Sequence, residues 1–179
     1  MNMLRMGLVI GAALAMSAPA LAAEQDIFAE YRAMFGDDNP AELVEMQGEE
    51  VWNAVRGPKQ ASLASCDLGL GPGVMAGAYA QLPRYFADTG KVMDLETRLL
   101  HCMDTLQGID TSALRAKPYS EQGQPQTDLE SLSAYIAAQS RGMPVAVPQT
   151  HPLELQAFAD GAKLFNFRAG PHDFSCATC

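Results

Sequence analysis

Basic residues are scarce. Twelve Lys and Arg stand against 21 Asp and Glu, a formal net charge of −9 over 179 residues. They are scattered singly, so the Lys/Arg clusters that bind nucleic acid or anionic lipid are absent. Beyond residue 22 no apolar run is long enough to span a bilayer, so no membrane insertion is expected. No stretch alternates apolar and polar side chains over five residues, so no strand is expected. The three histidines are scattered, and with the cysteines they show no paired spacing for structural zinc.

What is present begins with a leader. Arg5 supplies a positive charge, Gly7 to Met16 is uncharged and mostly apolar, and Ala20-Leu21-Ala22 is an A-x-A cleavage site. Residues 1–22 therefore read as a secretory signal peptide cleaved after Ala22, which places the protein in the periplasm. The mature part would carry 157 residues with net charge −10 once Arg5 is gone, enough for one good core or two small ones. All four cysteines, Cys66, Cys102, Cys176 and Cys179, lie in that exported part, where an even count commonly forms disulfides.

The chain contains a repeat. "GEEVWNAVRGPKQASLASC" (48–66) aligns without gaps on "GAKLFNFRAGPHDFSCATC" (161–179) at an offset of 113, with seven identities in nineteen positions. Random pairing gives roughly one at ordinary residue frequencies. The matched pairs include Gly48/Gly161, Asn53/Asn166, Gly57-Pro58/Gly170-Pro171 and Cys66/Cys179, with Trp52/Phe165 conservative. Upstream, "NPAEL" (39–43) and "HPLEL" (151–155) correspond if one residue is inserted. The copies differ at one chemical position: Cys176 is matched by Leu63, and the residue after Cys179 is matched by Asp67.

Periodicity predicts helices over 26–35, from Asn39 through Trp52, from Asp94 through Leu106, from Thr127 or Asp128 to Gly142, and from His151 past Phe165. Residues 67–83 and 117–126 read as loops, and 145–150 as a linker. Gly69-x-Gly71-x-Gly73 follows no strand, so it reads as a turn-rich loop and not a dinucleotide site. His101 reads as a surface or packing residue, His151 as a helix cap, His172 as a loop residue, and Met93, Met103 and Met143 as core filler.

Each copy thus has a helix with glycine and an aromatic four residues on, followed by a loop ending in cysteine. In the second copy the loop holds Cys176-x-x-Cys179. A small helical unit of this size lacks side-chain core, and a covalently held macrocycle would fill it, which is the plan of a class I cytochrome c. In that reading Cys176 and Cys179 form thioethers to haem c and a histidine directly after Cys179 is its axial ligand. A redox dithiol needs a strand and βαβ context that is not found, and a plain loop disulfide is the remaining alternative. Cys66 and Cys102, lacking such a pair, are expected half-buried and joined to each other.

"RGPKQASLASCDLGLGPGVMAGAYAQLPRYFADTGKVMDLETRLLHCMDTLQG" (56–108), with "YIAAQSRGMPV" and "GPHDFSCATC", resembles the SoxA family. These are the haem-bearing subunits of the SoxAX cytochrome complexes of bacterial sulfur oxidation. The resemblance implies a mainly α protein of two cytochrome c-like domains. Here 23–145 would be a complete first domain without haem, and 146–179 the start of a haem c domain truncated at the Cys-x-x-Cys. Leu63 and Asp67 place the chain with the monohaem members, in which a disulfide replaces the first haem. It further implies that thiosulfate is oxidatively joined to a cysteine of the carrier SoxYZ, with electrons passing through haem to SoxX. The family's reactive cysteine lies C-terminal to residue 179, so residues 1–179 alone are expected to be inactive. A plain electron-transfer cytochrome c is the alternative.

Overall fold

The structure, a computed structural model, describes residues 39–179. The leader of residues 1–22 and the helix expected over 26–35 lie outside the described residues.

Helix α1 spans Pro40–Asn53 and α4 spans Asp128–Ala138. They cross at Gly48, where an added Cβ would stand 2.0 Å from the Ser131 carbonyl oxygen and 2.6 Å from the Tyr135 Cβ. Glycine is what lets the two backbones come this close, and the crossing delivers Val51 and Trp52 into the core. The sequence around α4 fixes its start. The Thr127 hydroxyl accepts the Glu130 N–H at 3.2 Å while Glu130 Oε2 accepts the Thr127 N–H at 2.6 Å, a reciprocal box.

Helix α2, Leu95–Cys102, is capped by the Asp94 carboxylate accepting the Thr97 N–H at 2.8 Å. It buries Leu95, Leu99 and Cys102 along one stripe, as the spacing predicts. The helix expected to continue to Leu106 instead widens into a π turn, Met103–Gln107, closed by Gly108 at φ 70°. A short α3, Ser112–Ala116, follows. The core joins Trp52, Leu63, Leu68, Leu99, Met103, Leu132 and Ile136 around Cys66 and Cys102.

Two strands correct the expectation of none. β1, Arg84–Phe86, pairs antiparallel with β2, Lys91–Met93, in the register Arg84↔Met93 and Phe86↔Lys91. Each has three residues, too short for alternation to register. The Gly90 N–H donates to the Phe86 carbonyl at 2.9 Å and closes the turn. Arg98, nearly buried, ties the hairpin to the glycine-rich loop. Its Nη1 donates to Asp88 Oδ2 and its Nε to the Asp67 carbonyl, both at 2.7 Å, and its guanidinium lies 4.1 Å from the Phe86 ring centre. Met93 and Met103 are buried as expected, but Met143 is exposed, because it falls after the α4 C-terminus where no element covers it.

Two carboxylates, Asp104 and Glu130, have their ionised form favoured by the fold. At Asp104 burial works against the charge, but hydrogen bonds from Thr111 and Arg115 prevail and hold it below the ordinary carboxylate value. At Glu130 the donors are Thr127 and Ser120, again against burial, with the same net direction. A lowered folded pKa means the ionised form is favoured by folding. Their contribution is complete above the ordinary value, about pH 4, and is lost as pH falls through the folded value. The melting temperature should therefore hold between about pH 5 and 7 and fall steadily below about pH 4, read by circular dichroism. A flat profile to pH 2 would contradict these assignments.

Candidate functional site

The last described helix, α5 (Pro152–Asn166), leads into the loop that carries Cys176 and Cys179. His151 caps it, as expected, with Nδ1 accepting the Leu153 N–H at 3.2 Å. The repeat read in the sequence is present in the backbone. Arg56 bridges Ala61 in the first copy, and Ala169 bridges Phe174 at the same offset in the second. Gly57 and Gly170 take φ 71° and 78°, and Gln60 and Asp173 take 46° and 51°. The Asn53 amide donates to the Glu49 carbonyl at 3.0 Å, and the Asn166 amide to the Ala162 carbonyl at 2.9 Å. The 3-10 turn Leu63–Ser65 is matched by Cys176–Thr178. Identical residues at 53, 57 and 58 impose the helix end and the left-handed turn, so both copies present the same loop.

What fills that frame differs. In the first copy Leu63 stands where Cys176 stands in the second, and its side chain is fully buried. Cys66 is bonded to Cys102, with Cα atoms 5.8 Å apart, and both are buried, not half-buried as the sequence implied, because α2 and the loop close over them. Asp67 is folded back on its own loop, its Oδ1 accepting the Gly69 N–H at 2.7 Å and the Gly71 N–H at 3.0 Å. The four glycines of this loop, Gly69, Gly71, Gly73 and Gly77, all take positive φ, which confirms a turn-rich segment. No thiol is free here and core side chains occupy the space, so the first copy does not fit a covalent haem.

In the second copy Cys176 and Cys179 are free and exposed thiols on one 3-10 turn. Phe165 is 54 % exposed where Trp52 is 2 %, and Leu164 is 72 % where Val51 is 8 %. A Cβ on Gly161 would meet nothing within 4 Å. This apolar face borders a groove of about 750 Å³ walled by Pro83, Val92 and Val145. Two thiols three residues apart beside an uncovered aromatic face fit the donor set of a haem bound by two thioethers. His172 lies 5.9 Å from Phe174, ring to ring, in the loop between them. His101 is partly buried, 3.7 Å from Asp88, a packing residue as expected. No group of three metal-ligating side chains occurs among the described residues.

Residues 47–145 match the family described as "SoxA/TsdA, cytochrome c domain". The chain belongs to this family. The matched stretch contains Cys66 and Cys102 and ends before Cys176. The L-cysteine S-thiosulfotransferase subunit SoxA of Hydrogenophilus thermoluteolus is 46% identical over 168 residues, which is 90% of this chain and 61% of that protein. The SoxA subunit of Hydrogenobacter thermophilus is 34% identical over 142 residues, 78% of this chain and 51% of that protein. The crystal structure of SoxXA from P. pantotrophus superposes with a TM-score of 0.61 at 32% identity, covering 79% of this chain and 49% of that one. The chain thus spans about half to three-fifths of the length of these relatives. Among the described residues no helix is long and apolar enough to cross a membrane.

Sequence reasoning missed one residue at this site. Glu154, the only buried residue of α5, was read only as part of a helix start. Its neighbours Pro152 and Leu153 are exposed, so periodicity gave no sign that it faces inward.

Proposed function

We propose that this chain belongs to a periplasmic c-type cytochrome subunit of a sulfur-oxidation system, acting as an L-cysteine S-thiosulfotransferase. Cys176 and Cys179 would hold one haem c through two thioethers. Residues 23–145 form the domain that has given up haem for the Cys66–Cys102 disulfide. The observation that carries this reading is the atom-level repeat, in which one copy has its thiol position refilled by Leu63 and the other keeps both thiols free.

The partners in this reading are thiosulfate, the carrier SoxYZ and the small cytochrome SoxX. A carrier cysteine thiol and thiosulfate form a new S–S bond to give the cysteine S-thiosulfonate, releasing one proton and two electrons. Haem supplies the outlet for those electrons, taken singly, toward SoxX. Within the described residues, the chain's part is to hold the two thiols on one short turn and to present Phe165 and Leu164 as an exposed apolar face on the helix before it. The fold below supplies rigidity, since the disulfide-held core carries the hairpin against which α5 rests.

The test uses the protein with any residues its gene encodes after Cys179, assembled with SoxX. Incubated with thiosulfate and reduced SoxYZ, it should add a thiosulfonate to the carrier, read by intact mass, as SoxX is reduced. Haem reduction without any carrier adduct would favour the plain electron-transfer cytochrome instead.

A further inference from the structure

Helix α5 is held to the hairpin side of the molecule at its N-terminal turn. The Glu154 carboxylate, 7 % exposed, accepts three backbone N–H groups. Oε1 takes that of Tyr85, on β1, at 2.8 Å. Oε2 takes those of Thr150 and His151, each at 3.0 Å. Over this junction the His151 ring stacks on the Tyr85 ring, with centroids 3.7 Å apart and planes 6° from parallel. The rest of α5 is exposed or half-exposed. Three N–H donors outweigh burial and hold the Glu154 carboxyl below its ordinary range, with Arg84 adding to the effect.

This arrangement is not inherited from the repeat. The matching residue in the first copy, Glu42, is exposed, and Asn39 stands in the place of His151. A carboxylate can cap a helix from the surface, so burying one against a strand 69 residues away calls for a separate reason. Position supplies it. α5 is 15 residues long, about 22 Å, and a small pivot at its first turn moves the Cys176–Cys179 loop by several ångströms.

We propose that Glu154, together with the Tyr85–His151 stack, is a positioning site. It fixes the helix bearing the two thiols against the hairpin of residues 84–93, so that the disulfide-held unit sets where the thiols point. The value of that aim to electron transfer rests on the haem reading above; the clamp itself does not. A group attached to a loop at the end of a one-point lever keeps a fixed distance to its partners only if the pivot is rigid.

The chain supplies its own probes. Trp52 is the single tryptophan and is buried in the core, and in protein made without haem attachment Cys176 can be labelled with a fluorescent acceptor once Cys179 is changed to serine. Time-resolved energy transfer from Trp52 should give one narrow distance in the otherwise native chain. In Glu154→Ala the distribution should broaden and the dye's anisotropy fall. Exchange of the Tyr85, Thr150 and His151 amides should accelerate about tenfold or more. Glu154→Gln, which keeps one acceptor for Tyr85 but opposes an NH2 to the other donors, should fall between. Tyr85→Phe keeps the stack and should be silent, while Tyr85→Ala should broaden the distance. Trp52 emission in the unlabelled variants, unchanged throughout, reports that the core is intact. A distance distribution in Glu154→Ala indistinguishable from the parent overturns the proposal. If mass mapping finds no haem on Cys176 and Cys179, these results are unaffected, so the two readings fail separately.

Discussion

Gly48→Ala is expected to destabilise the chain of residues 1–179 by about 3 kcal/mol or more, and Gly161→Ala, at the equivalent position of the second copy, to stabilise that same chain slightly. At Gly48 the new methyl meets backbone: 2.0 Å to the Ser131 oxygen and 2.6 Å to its carbonyl carbon. Neither atom belongs to a flexible side chain. α4 must therefore back away along its length, loosening Leu129, Leu132 and Ile136 from the core together. Against a typical domain stability of about 5–15 kcal/mol this is a large fraction. At Gly161 nothing lies within 4 Å, and the residue sits inside a helix without a positive φ. Alanine there gains about 0.8–1 kcal/mol of helix propensity locally. Thermal and urea melts of the two single variants separate the cases, and equal effects would mean that Gly48 is not a crossing point.

Breaking the disulfide should cost about as much. Cys66 and Cys102 close a loop with sequence separation 36, worth about 4 kcal/mol in the chain-entropy model. Replacing both by alanine also removes two buried sulfurs from among Leu63, Leu99 and Met103, which adds a packing loss. The double alanine variant should melt well below the parent. In the folded chain made without haem attachment an alkylating agent should modify two cysteines, Cys176 and Cys179, and all four only after unfolding with reductant. Modification of four thiols in the native, unreduced protein would contradict the pairing.

Much of this organisation is legible in the sequence because the repeat is exact at the residues that dictate backbone. Asn53/Asn166 and Gly57-Pro58/Gly170-Pro171 fix a helix end and a left-handed turn, and those are the features the structure duplicates. Capped helix starts at Asp94, Thr127 and His151 were readable for the same local reason. The hairpin was not, since two strands of three residues leave no period to detect. Glu154 was half legible: a Glu three residues after a cap signals a box. Its reach to Tyr85 depends on a contact 69 residues away, which no local pattern encodes. The burial of Cys66 and Cys102 was underestimated because it depends on Leu68 and Met103 closing over them from separate segments.

One frame occurs twice, rebuilt around a disulfide in residues 39–145 and, in the function proposed above, kept for haem at Cys176 and Cys179. Peptide mass mapping tests it most directly. The protein, expressed with any residues encoded after Cys179 in a host that matures c-type cytochromes, is digested without reductant. The predicted result is one haem on the peptide holding Cys176 and Cys179, with Cys66 crosslinked to Cys102. Haem on the Cys66 peptide, or Cys176 crosslinked to Cys179 with no haem at all, would contradict it.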